Sequence, residues 1–241
     1  MKKIEKLPFH AVHLRVMALV FMLLDHMWAT VIPGNFWMNC VGRLAFPIFA
    51  FQAAEGYWHT SDFKKYCKRL LVFALISEIP FNLMTGGGLS NPYHQNVLFT
   101  ILLGLLGIRA VDRAMKEKTV KDWAAAFGVV CMVGLAGNFA FVDYGYRGVF
   151  TVIAFGVLRN FPLAGTAQLL VMVLLHGVLS KGRCFELFAM EIPYQAIAVF
   201  SLVFIRLYNG DKGPRNRIIQ YGSYWFYPVH MAILWGIRQL L

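Results

Sequence analysis

Long apolar segments recur from one end of the chain to the other, and they constrain its fold more than any other feature. Hydrophobic residues make up 59% of the 241 residues and charged residues only 15%, whereas about 25% of a typical soluble domain is charged. Segments of this length and composition are typical of transmembrane helices. We place spans at residues 12–32, 40–59, 67–84, 95–112, 121–140, 147–160, 163–180, 185–206 and 222–241.

These spans fill most of the chain and leave only short loops. We therefore expect one domain over residues 1–241, without room for a separate soluble domain. The predicted fold class is all-α, a polytopic integral membrane protein of about nine transmembrane helices, with about eight to ten as the range. Between residues 141 and 184 the segments are short, and one pair of them is compatible with a re-entrant loop.

The basic residues predict the orientation. Lysine and arginine number 23 against 12 aspartates and glutamates, a net charge of +11. They lie in short clusters between apolar segments, and most of them fall on one side if the N-terminus is cytoplasmic. The first apolar segment is long and lacks a small-x-small cleavage site, so we expect it to be retained. This clustering favours anionic lipid headgroups or a polyanionic cofactor over nucleic acid as partners.

The spacing of the cysteines and the absence of common cofactor motifs argue against several classes of site. Cys40, Cys67, Cys131 and Cys184 are far apart and form no CxxC motif. Neither a disulfide framework nor a metal site is therefore expected. The chain also lacks paired-histidine haem spacing and a GxGxxG motif after a strand, so an oxidoreductase finds no support.

Ionisable residues inside a span are costly and usually mark a functional site. The first span includes HLRVMALVFMLLDHMW, residues 13–28, and carries Arg15, Asp25 and His26. Arg15 and His26 lie about three full helical turns and about 16 Å apart, on one face. A cation at the inner end and a base near the outer end suit a long, phosphorylated donor. In the simpler interpretation, the Arg15 side chain extends to the lipid headgroups and anchors the helix at the interface. Asp25 then either orients His26 or pairs with Arg43.

Other spans carry further polar candidates for a catalytic role. Glu78 is the hardest to explain by packing, because it is central in its span and is followed by Pro80. His230 is equally compatible with packing and with function. The full set of further candidates is Arg43, Glu78, Asn82, Asn96, Tyr227 and His230.

Several blocks of sequence resemble the TraX family, whose name comes from the F-pilin N-acetylase. The blocks are MALVFMLLDH, GRLAFPIFAF, LISEIPFNL, NVLFTILLGLL, YGYRGV and YPVH, and the resemblance covers nearly the whole chain. It extends more loosely to other membrane acyltransferases, including polysaccharide O-acetyltransferases and the lysosomal heparan glucosaminide N-acetyltransferase. Many of the O-acetyltransferases carry an arginine, ten residues and then a histidine in the first span, and Arg15 and His26 match that spacing.

The resemblance implies an enzyme that takes an acetyl group from acetyl-CoA. The acceptor is an amine or hydroxyl, on a peptide N-terminus or a glycan, at or across a bacterial cytoplasmic membrane. Neither the acceptor nor a homo-oligomeric state is decided by the resemblance, and no metal is implied. Candidates for binding the CoA phosphates are the inner-end cations Arg15, Lys68, Arg69, Arg109, Arg215 and Arg217.

The implied mechanism gives His26 the central role. It either takes the proton of the acceptor as general base or accepts the acetyl group itself in a ping-pong route. Asp25 or Glu78 would orient it. The candidates for stabilising the oxyanion are Arg43, Asn82, Asn96 and Tyr227.

Two hypotheses from other classes compete with the enzyme. Intramembrane Asp, Glu and His residues also form the proton relays of transporters, although the sequence shows no inverted repeat. A non-catalytic membrane assembly factor that binds peptide or lipid is the other competitor, and it would tolerate the loss of His26.

Overall fold

The protein is mostly helical in a computed structural model that describes residues 8–86, 88–187, 189–213 and 217–241. The α-helices of the described residues are α1 (Ala11–Thr30), α2 (Phe36–Gly42), α3 (Ala45–His59), α4 (Phe63–Gly86), α5 (Val97–Glu117), α6 (Val120–Phe139), α7 (Gly145–Val157), α8 (Ala164–Met172), α9 (Ser201–Arg206) and α10 (Arg217–Leu240). Shorter 3₁₀ and π segments extend some of them, and one β-hairpin lies between α8 and α9.

Five of the predicted spans are single continuous helices. They are the first, third, fourth, fifth and ninth, which correspond to α1, α4, α5, α6 and α10. Within the described ranges, three helices are long and apolar enough to cross a membrane by length and composition: α1, α4 and α6. The sequence therefore predicted the helical membrane character, while a set of nine complete transmembrane helices is not established.

The second predicted span is two helices. α2 ends at Gly42, and α3 starts at Ala45 after a turn at Arg43 and Leu44. Pro47 explains the break. It has no backbone N–H to donate to the carbonyl four residues earlier, so it is tolerated in the first turn of a new helix and not in the middle of a continuous one.

The prediction of an eighth span at residues 185–206 was wrong in its first half. Strands β1 (Cys184–Leu187) and β2 (Met190–Pro193) form an antiparallel hairpin, so the fold is not purely α-helical. A 3₁₀ helix, Tyr194–Phe200, and then α9 complete the segment. Glu186 and Glu191 interrupt the apolar run, and Pro193 cannot continue a helix from the residues before it.

The region before the hairpin is also irregular. The predicted seventh span is α8 followed by a π-helical segment, Val173–Val178. π-helical turns are rare, and they occur frequently at functional sites. The elements between residues 141 and 184 are short, as predicted, and the 3₁₀ and π segments continue the irregular region to residue 200.

Glycines allow α5 and α7 to pack with their backbones close together. A Cβ added to Gly104 would lie 2.4 Å from Val152 of α7, and one added to Gly156 would lie 2.4 Å from Ile108 of α5. Such small residues are the usual means by which helices approach each other in membranes. This pair forms part of the central core, together with α1, α3 and α9.

Large apolar side chains cover much of the outer surface. On α6, Phe127 and Phe139 are each 72% exposed, and Leu75 and Ile79 of α4 are more than half exposed. A soluble monomer rarely exposes contiguous apolar surface on this scale. The exposed faces of α4 and α6 are therefore suited to contact with lipid, in agreement with a membrane protein.

Candidate functional site

Two histidines from opposite ends of the chain meet at one end of the bundle. The Nδ1 atom of His26 on α1 lies 2.7 Å from the Nε2 atom of His230 on α10, across a sequence separation of 204 residues. The two rings are nearly parallel, with centroids 4.9 Å apart. His230 is buried, whereas His26 is partly exposed. The sequence singled out both residues but contained no signal for their pairing.

The hydrogen bonds of this pair define its tautomers when both rings are neutral. Nδ1 of His230 lies 2.6 Å from the backbone carbonyl of Phe226, which can only accept, so this nitrogen carries a proton. Nε2 of His230 is then an acceptor and receives the Nδ1–H of His26. The Nε2 atom of His26 is left with a free lone pair. The arrangement has the logic of a general base held in one tautomer by an orienting partner.

Asp25 does not contribute to that orientation. Its Oδ1 accepts from Nη2 of Arg43 at 2.5 Å and from Nδ2 of Asn39 at 2.8 Å. The structure thus places Asp25 as the ionic partner of Arg43, one of the two roles open at the sequence level. The pair joins α1 to the turn between α2 and α3.

Arg43 is held by more than Asp25. Its Nη1 donates to Oε1 of Gln195 at 3.3 Å and its Nε to the carbonyl of Asn39 at 3.4 Å. Gln195 Nε2 in turn lies 3.2 Å from Nδ1 of His176, whose Nε2 lies 2.9 Å from Thr151 Oγ1. All donors run in one direction, from Arg43 towards α7. Three of the five guanidinium N–H bonds are used in these contacts.

This network contains residues that the sequence analysis missed. His176 was not among the candidates, yet it is 1% exposed and hydrogen-bonded on both ring nitrogens. Asn39, Thr151 and Gln195 were not proposed at all. Each of these residues is polar and lies in an apolar segment, which was the available signal. The sequence did not show that their hydrogen-bond partners come from other elements.

Glu78 and Asn96 form a separate polar group where α4 meets the start of α5, and Asn82, one turn after Glu78, donates to the carbonyl of Leu89 at 3.5 Å. Asn96 Nδ2 donates to Glu78 Oε2 at 2.5 Å and to the carbonyl of Ala74 at 2.8 Å. The Asn96 Oδ1 atom caps α5 by accepting from Leu98 N. Among the described contacts, neither Glu78 nor either asparagine bonds to His26. Their interactions therefore support helix packing and do not place them at the histidine pair.

A loop pair lies near this group. His94, between α4 and α5, has its Nε2 3.7 Å from Oδ1 of Asp143, and its ring packs edge-on against Phe81. The interaction with the Asp143 carboxylate raises the pKa of His94 above its ordinary value, although partial burial opposes the shift. The pair joins the two loops that precede α5 and α7.

A cavity of about 180 Å³ runs between α1, α3, α4, α5 and α10. At one end it is lined by Arg15 and Tyr66, and further along by Met22 of α1 and Tyr227 of α10. Met22 precedes His26 by four residues and Tyr227 precedes His230 by three, so the cavity ends about one helical turn below the histidine pair. Tyr227 is thereby close to the pair, its ring 6.0 Å from that of His230.

The predicted inner-end cations differ in their positions. Arg15 lines one end of the cavity, and Arg69 lies over the ring of Tyr66, which also lines it. Arg109 instead packs over Phe63, and Lys68 is exposed.

Within the described part of the chain, Arg15 has no carboxylate partner. Arg215 lies outside the described residues, as does the side chain of Arg217.

The fold and the site together define a helical membrane protein with a paired-histidine centre above a narrow internal cavity. Within the residues that the structure describes, no group of three or more His, Cys, Asp or Glu side chains is placed to hold a metal ion. Residues 11–238 match the TraX protein family, and the chain belongs to it.

A relative within the curated proteins agrees with this assignment. Over 255 aligned positions the chain is 28% identical to the probable fimbrial assembly protein FimC, serogroup H1, of Dichelobacter nodosus. The alignment covers 98% of this chain and 99% of the relative. No solved structure matches the chain significantly.

Proposed function

We propose that the protein is an integral membrane acetyltransferase that moves an acetyl group from acetyl-CoA to an amine or hydroxyl acceptor. The observation that carries the proposal is the free Nε2 lone pair of His26, held in one tautomer by His230 and located one turn beyond a cavity that Arg15 lines at its other end. A base, a channel and an anion-binding group are the parts that acyl transfer from a phosphorylated thioester needs.

The cavity suits the thiol arm of the donor. At about 180 Å³ it is too small for the nucleotide, which would remain outside it at the Arg15 end, where Arg15 and Arg69 are available for the phosphates. Arg15 and His26 are about 16 Å apart along α1, which is comparable to an extended pantetheine arm. With the N-terminus in the cytoplasm, as the basic residues predict, the donor would enter from the cytoplasm and His26 would lie towards the outer side.

The chemistry then follows from the positions of the side chains. Nε2 of His26 takes the proton of the acceptor N–H or O–H while the acceptor atom attacks the thioester carbonyl. The C–S bond breaks, and the proton passes from His26 to the leaving thiolate to give free CoA. Arg43 has two N–H bonds beyond its described contacts and is the best-placed candidate for stabilising the oxyanion.

Calorimetric binding and CoA release test this proposal directly. Acetyl-CoA would be titrated into purified protein in detergent, and free CoA would be followed chromatographically. We expect Arg15→Ala to weaken binding at least tenfold and His26→Gln to abolish CoA release while leaving the Kd unchanged. Arg113→Ala is the matched control, because that arginine is 76% exposed and pairs with Asp122. A folded wild-type sample that binds no acetyl-CoA would overturn the proposal.

A non-catalytic assembly role is the second candidate, favoured by the name of the relative, a probable fimbrial assembly protein. The same variants separate the two functions. An assembly factor would keep its cellular role when His26 is replaced by glutamine, because a neutral side chain of similar length fills the same space. An acetyltransferase would lose it.

A further inference from the structure

The described lining of the cavity does not include the histidine pair, and Met22 lies between Arg15 and His26 along α1. Met22 lines the outer part of the cavity and stands one turn before His26 on the same face of α1. Neither His26 nor His230 is among the described residues that line it. A thioester in the cavity must therefore pass the level of Met22 before its carbonyl carbon can reach the base.

The side chains around Met22 at this end of the cavity are apolar and can change conformation. Met22 is 7% exposed, Met231 is fully buried, and both belong to one hydrophobic cluster with Tyr227. A methionine side chain has three rotatable bonds and repacks at low cost. It can turn aside for a small group, whereas a longer acyl chain would also require buried neighbours such as Tyr227 and Met231 to repack.

We propose that Met22 limits the length of the acyl group that the enzyme accepts, so that acetyl is admitted and longer chains are rejected. The inference rests on the proposed acetyltransferase function and assigns donor selectivity to a named residue. Replacing Met22 with alanine removes three non-hydrogen atoms from the wall. The space released at that level is comparable to the two extra carbons of a butyryl group.

The expected size of the effect follows from how apolar pockets discriminate. One methylene in such a pocket changes kcat/KM by about 10- to 200-fold. We expect kcat/KM of the wild type for acetyl-CoA to exceed that for butyryl-CoA by at least this factor. Met22→Ala should lower this preference at least tenfold, mainly by raising kcat/KM for butyryl-CoA.

The experiment measures kcat/KM for acetyl-CoA, propionyl-CoA and butyryl-CoA in the wild type, Met22→Ala and the smaller change Met22→Val. Met22→Val keeps the test usable if the alanine variant does not fold, and it should give an intermediate preference. Met17→Ala is the matched control, because Met17 lies on the same helix and packs against a different cluster. It should keep the wild-type preference.

The outcomes distinguish a failure of the proposed function from a failure of the proposed role of Met22. A folded wild type that neither binds acetyl-CoA nor releases CoA overturns the proposed function, and this inference with it. A wild type that transfers acetyl while folded Met22→Ala and Met22→Val keep its acyl preference overturns the role of Met22 alone. A graded relaxation in the order Met22→Val, then Met22→Ala, with unchanged binding of free CoA, supports it.

Discussion

At the scale of single residues, the paired histidines show how a local candidate becomes a site. The sequence singled out His26 because a base shares a helical face with Arg15, and that argument needs only the geometry of one helix. The role of His230 depends on a contact between helices at the two ends of the chain. Asp25 and Glu78 were equally plausible orienting groups by composition, yet their described contacts lie with Arg43 and Asn96.

We predict that His230 acts by positioning His26. In His230→Leu, Nδ1 of His26 loses its acceptor and the ring can adopt the other tautomer, so kcat should fall by about 10²-fold or more. The Kd for acetyl-CoA should not change. His230→Gln can still present an acceptor near the Nε2 position and should recover part of the activity. Steady-state kinetics and calorimetry check this, and equal loss in both variants would contradict a positioning role.

At the scale of secondary-structure elements, the sequence predicted the long helices well and the interrupted ones poorly. α1, α4, α5, α6 and α10 are single apolar segments whose local composition is sufficient. The break before α3 and the β1–β2 hairpin were missed because apolar content dominated the interpretation. Pro47 and Pro193 were the available local signals, because a proline lacks the backbone N–H that a continuous helix needs.

Helix packing gives a prediction at this scale. Gly156→Ala should lower the thermal stability of the protein, because the new Cβ would lie 2.4 Å from Ile108 in a packed interior. The expected cost is about 1–3 kcal/mol. Gly128→Ala is the matched control: nothing lies within 4 Å of its Cβ position, and alanine is the better helix former. Thermal denaturation in detergent should therefore show a loss for the first variant and none for the second.

At the scale of the whole molecule, a hydrogen-bond network joins the irregular region after α7 to the helices that carry the site. Gln195 bridges Arg43 and His176, and His176 is bonded to Thr151 of α7. The short 3₁₀ and π segments of residues 173–200 are therefore tied to the turn between α2 and α3. The irregular segments place Gln195 and His176 where they can form these hydrogen bonds.

Gln195→Leu tests that connection. Both partners of Gln195 would lose a hydrogen bond in a largely buried place, which we expect to cost about 1–3 kcal/mol of stability. Because Arg43 would also lose one of its constraints, kcat should fall while the Kd for acetyl-CoA is unchanged. Gln168→Leu is the control, since Gln168 is buried, more deeply than Gln195, but bonds to Arg206 instead. A Gln195 variant that loses stability but keeps kcat would contradict the link to Arg43.

The sequence alone determined the membrane character, the long helices, the family resemblance and the face that Arg15 shares with His26. These depend on hydropathy and on spacing within one element, which are local properties of the chain. Tertiary structure alone decided that His26 meets His230, that Asp25 binds Arg43, and that a cavity ends below the histidines. Each of these contacts joins residues from different helices, and such partners depend on how whole helices pack, which no local pattern specifies.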